Sequence, residues 1–371
     1  MITPRRDPEI LLRRYWENPD TPVVTAGLTA LSVGYRLALG VRERAYRWRV
    51  LRTGRSPCPV VSVGNITLGG SGKTPMVEEV ARALRELGAV PAVVSRGYGR
   101  DTRGPAIVAD GAGVRLGPRA AGDEPLLLAE RLAGTTVIVA ENRLEAARLA
   151  VERAGATAIV LDDGFQHRTL RKDLEIVVVN GRSPWGNQRL FPRGMLREPL
   201  SALRRADLLV MTNAPGEAES RAVTETFRSH NGRAPVLAGH YEVIGVRDLG
   251  GGQELGAHEL ARRRLLAFAG VGSPAGFAHT LRTAGVELAG LIEYPDHHWF
   301  TAGDLRELAA QASSLATQGL VTTEKDSMRL RSLTPPPVPL WVVRVRLRLD
   351  AGRDQLLQLL DRTLAAAAAR P

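Results

Sequence analysis

The stretch Pro59-Val60-Val61-Ser62-Val63-Gly64-Asn65-Ile66-Thr67-Leu68-Gly69-Gly70-Ser71-Gly72-Lys73-Thr74-Pro75 decides how the chain reads. Its first residues predict a short buried strand and its glycines a tight turn. Met76, Val77, Val80, Ala81 and Leu84 then recur at helical spacing. Strand, glycine-rich turn and helix in this order make a phosphate loop. Gly69, Gly70 and Gly72 let backbone N–H groups point at an anion, and the helix behind them adds the positive end of its dipole. Lys73 is placed to reach β- and γ-phosphates, and the Thr74 hydroxyl to bind magnesium. Thr67, Leu68 and Ser71 complete the eight-residue window, Thr67 standing where the pattern G-x-x-x-x-G-K-[ST] has glycine. Pro75 fits because the first turn of a helix has no N–H bond to lose. An ordinary glycine-rich turn with a solvated lysine would not need this context.

Downstream the pattern is a regular alternation. Strands are expected at Ala89–Ser95, Thr136–Ala140, Ala158–Leu161, Leu174–Val179 and Leu208–Thr212, with helices at Leu126–Leu132, Arg143–Ala154 and Glu217–His230 between them. Such alternation predicts an α/β fold of the P-loop NTPase kind, a mostly parallel sheet with helices on both faces, whose ligands bind at the carboxyl ends of the strands. Two extended runs, His240–Val246 and Trp341–Leu349, interrupt it. In the second, Val343, Val345, Leu347 and Leu349 alternate with Arg344, Arg346 and Arg348, which marks a strand with one wet, basic face. Paired, the two runs would form a two-stranded connector to a smaller α/β/α lobe. The expected organisation is an N-terminal helical segment over 1–55, a nucleotide-binding lobe over 56–238, connector and smaller lobe over 239–350, and a C-terminal helix over 351–371.

A chain of 371 residues with 44% hydrophobic content has enough apolar surface for sizeable cores and is not a disordered protein. Its one cysteine, Cys58, can form no internal disulfide and suits a reducing compartment. A net charge of +11 calls for an anionic partner surface. Aromatic residues make up only 5%, and no zinc-finger, RRM-like or homeodomain-like signature is present, so nucleic acid is the weaker choice. At the N-terminus an apolar stretch from Val23 to Val41 is followed by Arg42, Arg44, Arg47, Arg49, Arg52 and Arg55. It makes a poor signal peptide and a marginal membrane span. Two readings stay open: a helix lying on an anionic membrane surface, or one packed on the protein's own core with solvated arginines.

Asp162 and Asp163 follow the apolar strand Ala158–Leu161, where a carboxylate binds or orients magnesium bridging the β- and γ-phosphates. Periodicity does not say which of the two faces the metal. Asp123, in Gly-Asp-Glu-Pro, can cap a helix or act as general base for an acceptor hydroxyl. His297, in Tyr-Pro-Asp-His-His-Trp-Phe, lacks the companions of a metal site and could polarise a carboxylate.

Together these motifs resemble one family. Gly-Asn-Ile-Thr-Leu-Gly-Gly-Ser-Gly-Lys-Thr-Pro, Ser-Arg-Gly-Tyr-Gly-Arg, Gly-Asp-Glu-Pro, Asp-Asp-Gly-Phe-Gln-His, Gly-Met-Leu-Arg-Glu-Pro, Tyr-Pro-Asp-His-His and Thr-Glu-Lys-Asp occur in the order seen in the lipid A 4'-kinases. The resemblance implies transfer of the γ-phosphate of ATP, with Mg2+, to the 4'-hydroxyl of a tetraacyldisaccharide lipid A precursor at the cytoplasmic face of the inner membrane. It implies phosphate and magnesium roles for Lys73 and Thr74, and metal-side roles for Asp162 and Asp163. Asp123 matches the family's proposed base and His297 its partner, while Arg197 and Glu198 match a motif near the nucleotide. A lipid substrate also gives the apolar N-terminal helix a purpose. Against these stand a nucleotide switch or metallochaperone GTPase, although Leu208–Asn213 lacks the N-K-x-D guanine signature, and a basic nucleic-acid-associated ATPase, which would bind polyanions salt-sensitively.

Overall fold

The computed structural model describes residues 8–17, 21–214, 216–252 and 254–370; residues 1–7 and 18–20 of the expected N-terminal segment lie outside these. The chain divides into two compact units, a larger one of residues 12–240 and 349–370 and a smaller one of residues 241–348 with 8–11.

The first described elements are α1 (Pro8–Glu17) and α2 (Pro22–Arg47). Pro22 sits in the first turn of α2, and Arg44 and Arg47 sit in its last, where they complement the helix dipole. The helix therefore runs past the apolar stretch into the basic tract. Among its residues only Ser32 is buried.

The larger unit continues through β1 (Val60–Gly64), α3 (Lys73–Glu86), β2 (Pro91–Ser95), β3 (Ala106–Asp110), β4 (Gly113–Val114), α4 (Pro118–Ala121), α5 (Asp123–Arg131), β5 (Thr136–Val139), α6 (Arg143–Ala154), β6 (Ala158–Asp162), β7 (Leu174–Asn180), β8 (Leu208–Thr212) and α7 (Glu217–His230). Its strand order is β8-β7-β1-β6-β2-β5-β3-β4. All neighbours are parallel except at the β3 edge, which runs antiparallel to β5 and β4. β3 and β4 lie between Ser95 and Leu126, where no strand was expected. Their half-exposed residues carry too short a pattern to announce a strand. The central strands are buried on both faces, as parallel strands covered by helices must be. Ala92, Val94, Ile159 and Leu161 meet Ala146, Ala147 and Ala150 of α6. Val177, Val179, Leu209 and Met211 meet Val223 and Phe227 of α7.

β9 (Val236–Asp248) leads into the smaller unit, which holds β10 (Glu254–Leu255), β11 (Arg264–Ala269), α8 (Pro274–Thr283), β12 (Glu287–Glu293), α9 (Ala302–Ser314), β13 (Leu320–Thr323), α10 (Glu324–Leu330) and β14 (Leu340–Leu349). There β12-β11-β13-β14 are parallel neighbours. α11 (Arg353–Ala368) closes the chain, and Arg353 ties it to Glu79 and Glu86 of α3.

Candidate active site

The phosphate loop leaves β1 at Gly64 and enters α3 at Lys73. Gly72 caps that helix at φ +88°, a left-handed conformation that strains any residue with a Cβ. The loop is braced from several sides. Leu68 N–H donates to Met195 O at 2.7 Å, Arg197 N–H to Ile66 O at 2.8 Å, and the Thr212 hydroxyl to Ser71 O at 3.0 Å. Gln166 Nε2 donates to Asn65 O at 2.8 Å. A loop so tied is held in one backbone arrangement from both flanks.

Lys73 Nζ stands 3.5 Å from Asp163 Oδ1. Arg197 Nη1 holds the same carboxylate through both oxygens, at 3.0 and 2.9 Å. Burial alone would raise the Asp163 carboxyl, but Lys73 and Arg197 outweigh it and hold it below the usual carboxylate range. Asp162, at the end of β6, is fully enclosed. Its Oδ2 accepts from the Ser95 hydroxyl at 2.7 Å, and its buried Oδ1 has no hydrogen-bond partner. Burial, with Glu124 and Asp163 adding to it, pushes the Asp162 carboxyl up to about 7. Adjacent carboxylates are thus driven in opposite directions. Asp163 is held by Lys73 and Arg197, whereas at Asp162 the pull of Lys73 offsets burial only in part.

Beside them lies a cavity of about 560 Å3 lined by Tyr35, Arg42, Arg96, Arg143, Asp163, His167 and Arg197 among others. Four guanidinium groups in one cavity make an anion-seeking surface. His167 registers it: burial first, then Arg143, Lys172 and Arg96, push its imidazole down to about 4, so it stays neutral at physiological pH.

Asp123 is the first residue of α5, and Gly122 holds the cap position. A Cβ on Gly122, itself at φ +90°, would lie 3.2 Å from Tyr98 O and 3.3 Å from Gly97 Cα, so only glycine lets this turn close on the loop leaving β2. Asp123 is therefore held near the carboxyl end of the sheet, 3% exposed, with Oδ1 accepting the Glu124 N–H at 2.9 Å.

In the smaller unit His297 follows β12 and Lys325 follows β13. Lys325 Nζ lies 3.0 Å from Asp296 Oδ1 and 3.4 Å from His297 Nε2. Burial would raise the Asp296 carboxyl, but Lys325 and His297 pull it below its ordinary value. His297 has φ +59° and donates its N–H to Gly270 O at 3.2 Å. Gly270 is itself clamped, its N–H donating to Asp326 Oδ1 at 3.1 Å and its carbonyl accepting from Arg329 at 2.9 Å. Asp326 and Arg329 form an ion pair at 2.5 Å with both side chains inaccessible to water. Removing one member of such a pair leaves a buried charge uncompensated. Arg329→Met is expected to lower unfolding free energy by about 3–5 kcal/mol, read as an earlier urea transition of this unit. A midpoint unchanged from wild type would refute it.

Of the residues singled out in the sequence, Lys73, Thr74, Asp123, Asp162, Asp163, Arg197 and Glu198 belong to the larger unit and His297 to the smaller. Lys73, Asp163 and Arg197 are in direct contact. Glu198 is 4% exposed, and its two oxygens accept from Arg42 and Arg205, each at 2.8 Å. Ser95, Arg96, Gln166, Asp296 and Lys325 lay inside the quoted motifs but carried no assigned role. Arg143 lay in none.

The family model for tetraacyldisaccharide-1-P 4'-kinase matches residues 24–365. A tetraacyldisaccharide 4'-kinase of Syntrophus aciditrophicus is 39% identical over 358 residues, covering 92% of this chain and 95% of that one. Its counterpart in Anaeromyxobacter sp. strain K is 43% identical over 347 residues, covering 92% and 91%. The crystal structure of LpxK from Aquifex aeolicus in complex with ATP is similar with a TM-score of 0.71 and 29% identity, over 92% of this chain and 99% of that one.

Proposed function

Since the chain belongs to the tetraacyldisaccharide 4'-kinase family, phosphotransferases of lipid A biosynthesis, we propose that it transfers the γ-phosphate of ATP to the 4'-hydroxyl of a tetraacyldisaccharide 1-phosphate. The observation that carries this reading is the braced phosphate loop, with Lys73 held against an ionised Asp163 beside a basic cavity. Backbone N–H groups of residues 69–74 cradle the phosphates, and Lys73 follows the charge that grows on the β–γ bridging oxygen as ADP leaves.

Asp123 is the general base. It takes the 4'-hydroxyl proton as that oxygen bonds to the γ-phosphorus, and His297 assists it, steadied by Lys325 and Asp296. The residues also fit a magnesium ion. Thr74 supplies a hydroxyl, Asp162 a buried oxygen without a partner, and Asp163 completes the acidic pair. Among the described residues no group of three or more His, Cys, Asp or Glu could hold a metal, which suits an ion that arrives largely liganded by phosphates and water. Bound there, Mg2+ would neutralise charge on the β- and γ-phosphates. The basic cavity suits the anionic end of the acceptor. α2, the one described helix long and apolar enough to cross a membrane, exposes Val33, Leu37 and Val41 to meet the cytoplasmic face of the inner membrane where the acyl chains lie.

Incubation with γ-labelled ATP and a tetraacyldisaccharide 1-phosphate in detergent micelles tests this. Label is expected in the lipid. Label released only as inorganic phosphate would sink the reading and favour a nucleotide switch.

A further inference from the structure

Besides Glu43, which pairs with Arg168 and Arg204, the inward side of α2 is bonded to the short segment 190–198. Ser32 Oγ donates to Leu190 O at 2.7 Å and accepts the Arg193 N–H at 3.1 Å. Tyr35 OH donates to Arg197 O at 2.8 Å, and Arg42 to Glu198 Oε1 at 2.8 Å. The same segment floors the phosphate loop through the Leu68–Met195 and Arg197–Ile66 bonds, and through the Arg197 side chain it fixes Asp163. The other Glu198 oxygen accepts from Arg205, whose guanidinium lies 4.4 Å over the ring of Phe165, two residues beyond Asp163. The opposite side of α2 is apolar and bare, with Leu37 and Val41 each 66% exposed.

We propose that α2 is a positioning element of the nucleotide site: Tyr35, Arg42 and Glu198 hold Arg197, and through it Asp163 and the phosphate loop. One face of the helix suits lipid while the other sets the affinity for nucleotide. The physical reason is that segment 190–198 contains no helix or strand of its own to hold it. Its place depends on bonds to its neighbours, and α2 supplies four of them. Deleting residues 1–55 would therefore disturb the phosphate site as well as any membrane contact. The inference rests on the phosphate loop being the ATP site.

The test uses the full chain in detergent micelles, with a non-hydrolysable ATP analogue titrated by calorimetry and KM for ATP and acceptor measured separately. Tyr35→Phe keeps the ring that meets Phe191 edge-on at 6.0 Å and removes only the hydroxyl, so the fold survives it. Tyr35→Phe and Arg42→Met are each expected to weaken analogue binding about tenfold and to raise KM for ATP, with Arg42→Lys recovering most of the loss. Wild-type analogue affinity in both variants, with only acceptor KM raised, would make the two side chains cavity wall and overturn the proposal. Lys73→Met is titrated alongside. If it loses the analogue while the α2 variants do not, this inference alone falls; if it too binds like wild type, the phosphate-loop reading falls first.

Discussion

Asp123→Asn is expected to lower kcat by about 10²- to 10⁴-fold, the range a positioned general base contributes, while ATP affinity stays near that of wild type. The substitution is conservative for the fold. An amide oxygen can still accept the Glu124 N–H, and the close approach of Gly122 to Gly97 is untouched. It removes the negative charge and with it the ability to take a proton. His297→Ala is expected to lower kcat as well, by the same order or less. If the two side chains act as one unit, the double variant loses little more than Asp123→Asn alone, because groups that work together are not additive. Steady-state kinetics on the lipid acceptor decides this. Turnover at the wild-type rate by either single variant would remove that residue from the mechanism.

Lys73→Met is expected to cost about 10²- to 10³-fold in kcat and to weaken ATP binding, since under the proposed mechanism it removes the charge that meets the one growing on departing ADP. Fold loss is not a rival explanation. Asp163 keeps both bonds to Arg197, and the buried stripe of α3 through Met76, Val77, Val80 and Leu84 is unaltered. Stopped-flow binding of a fluorescent ATP analogue, followed by single-turnover transfer, separates the two losses. Unchanged single-turnover rates would exclude Lys73 from the transfer step.

Much of the larger unit was legible because its signals are local. A buried parallel strand writes itself as a run such as Val60–Val63 or Ile159–Leu161, and a phosphate loop needs glycines, lysine and threonine at adjacent positions. The β3–β4 edge was not legible, because half-exposed strands of five and two residues leave no pattern to count. Nor was the full length of α2. Arginine is a strong helix former, so the helix continues to Arg47 after the apolar residues end.

The site divides along the same line. Residue types at fixed spacing pointed to Lys73, Thr74 and the Asp162–Asp163 pair as candidates for phosphate chemistry, because such chemistry is carried by neighbours in the chain. Their electrostatic difference came only with the fold. Asp163 faces Lys73 and Arg197 from two other segments, whereas Asp162 is enclosed with a single hydroxyl, Ser95, from a neighbouring strand. Glu198 matched a motif in the sequence, but its two partners, Arg42 of α2 and Arg205, became known only with the fold, the first being 156 residues away. Arg143 reached the basic cavity with no motif to announce it. Spacing along a chain specifies backbone shape and the chemistry of adjacent side chains. Charge and burial at a point in space are sums over segments that meet only when the sheet has formed, and the tertiary structure alone decided them.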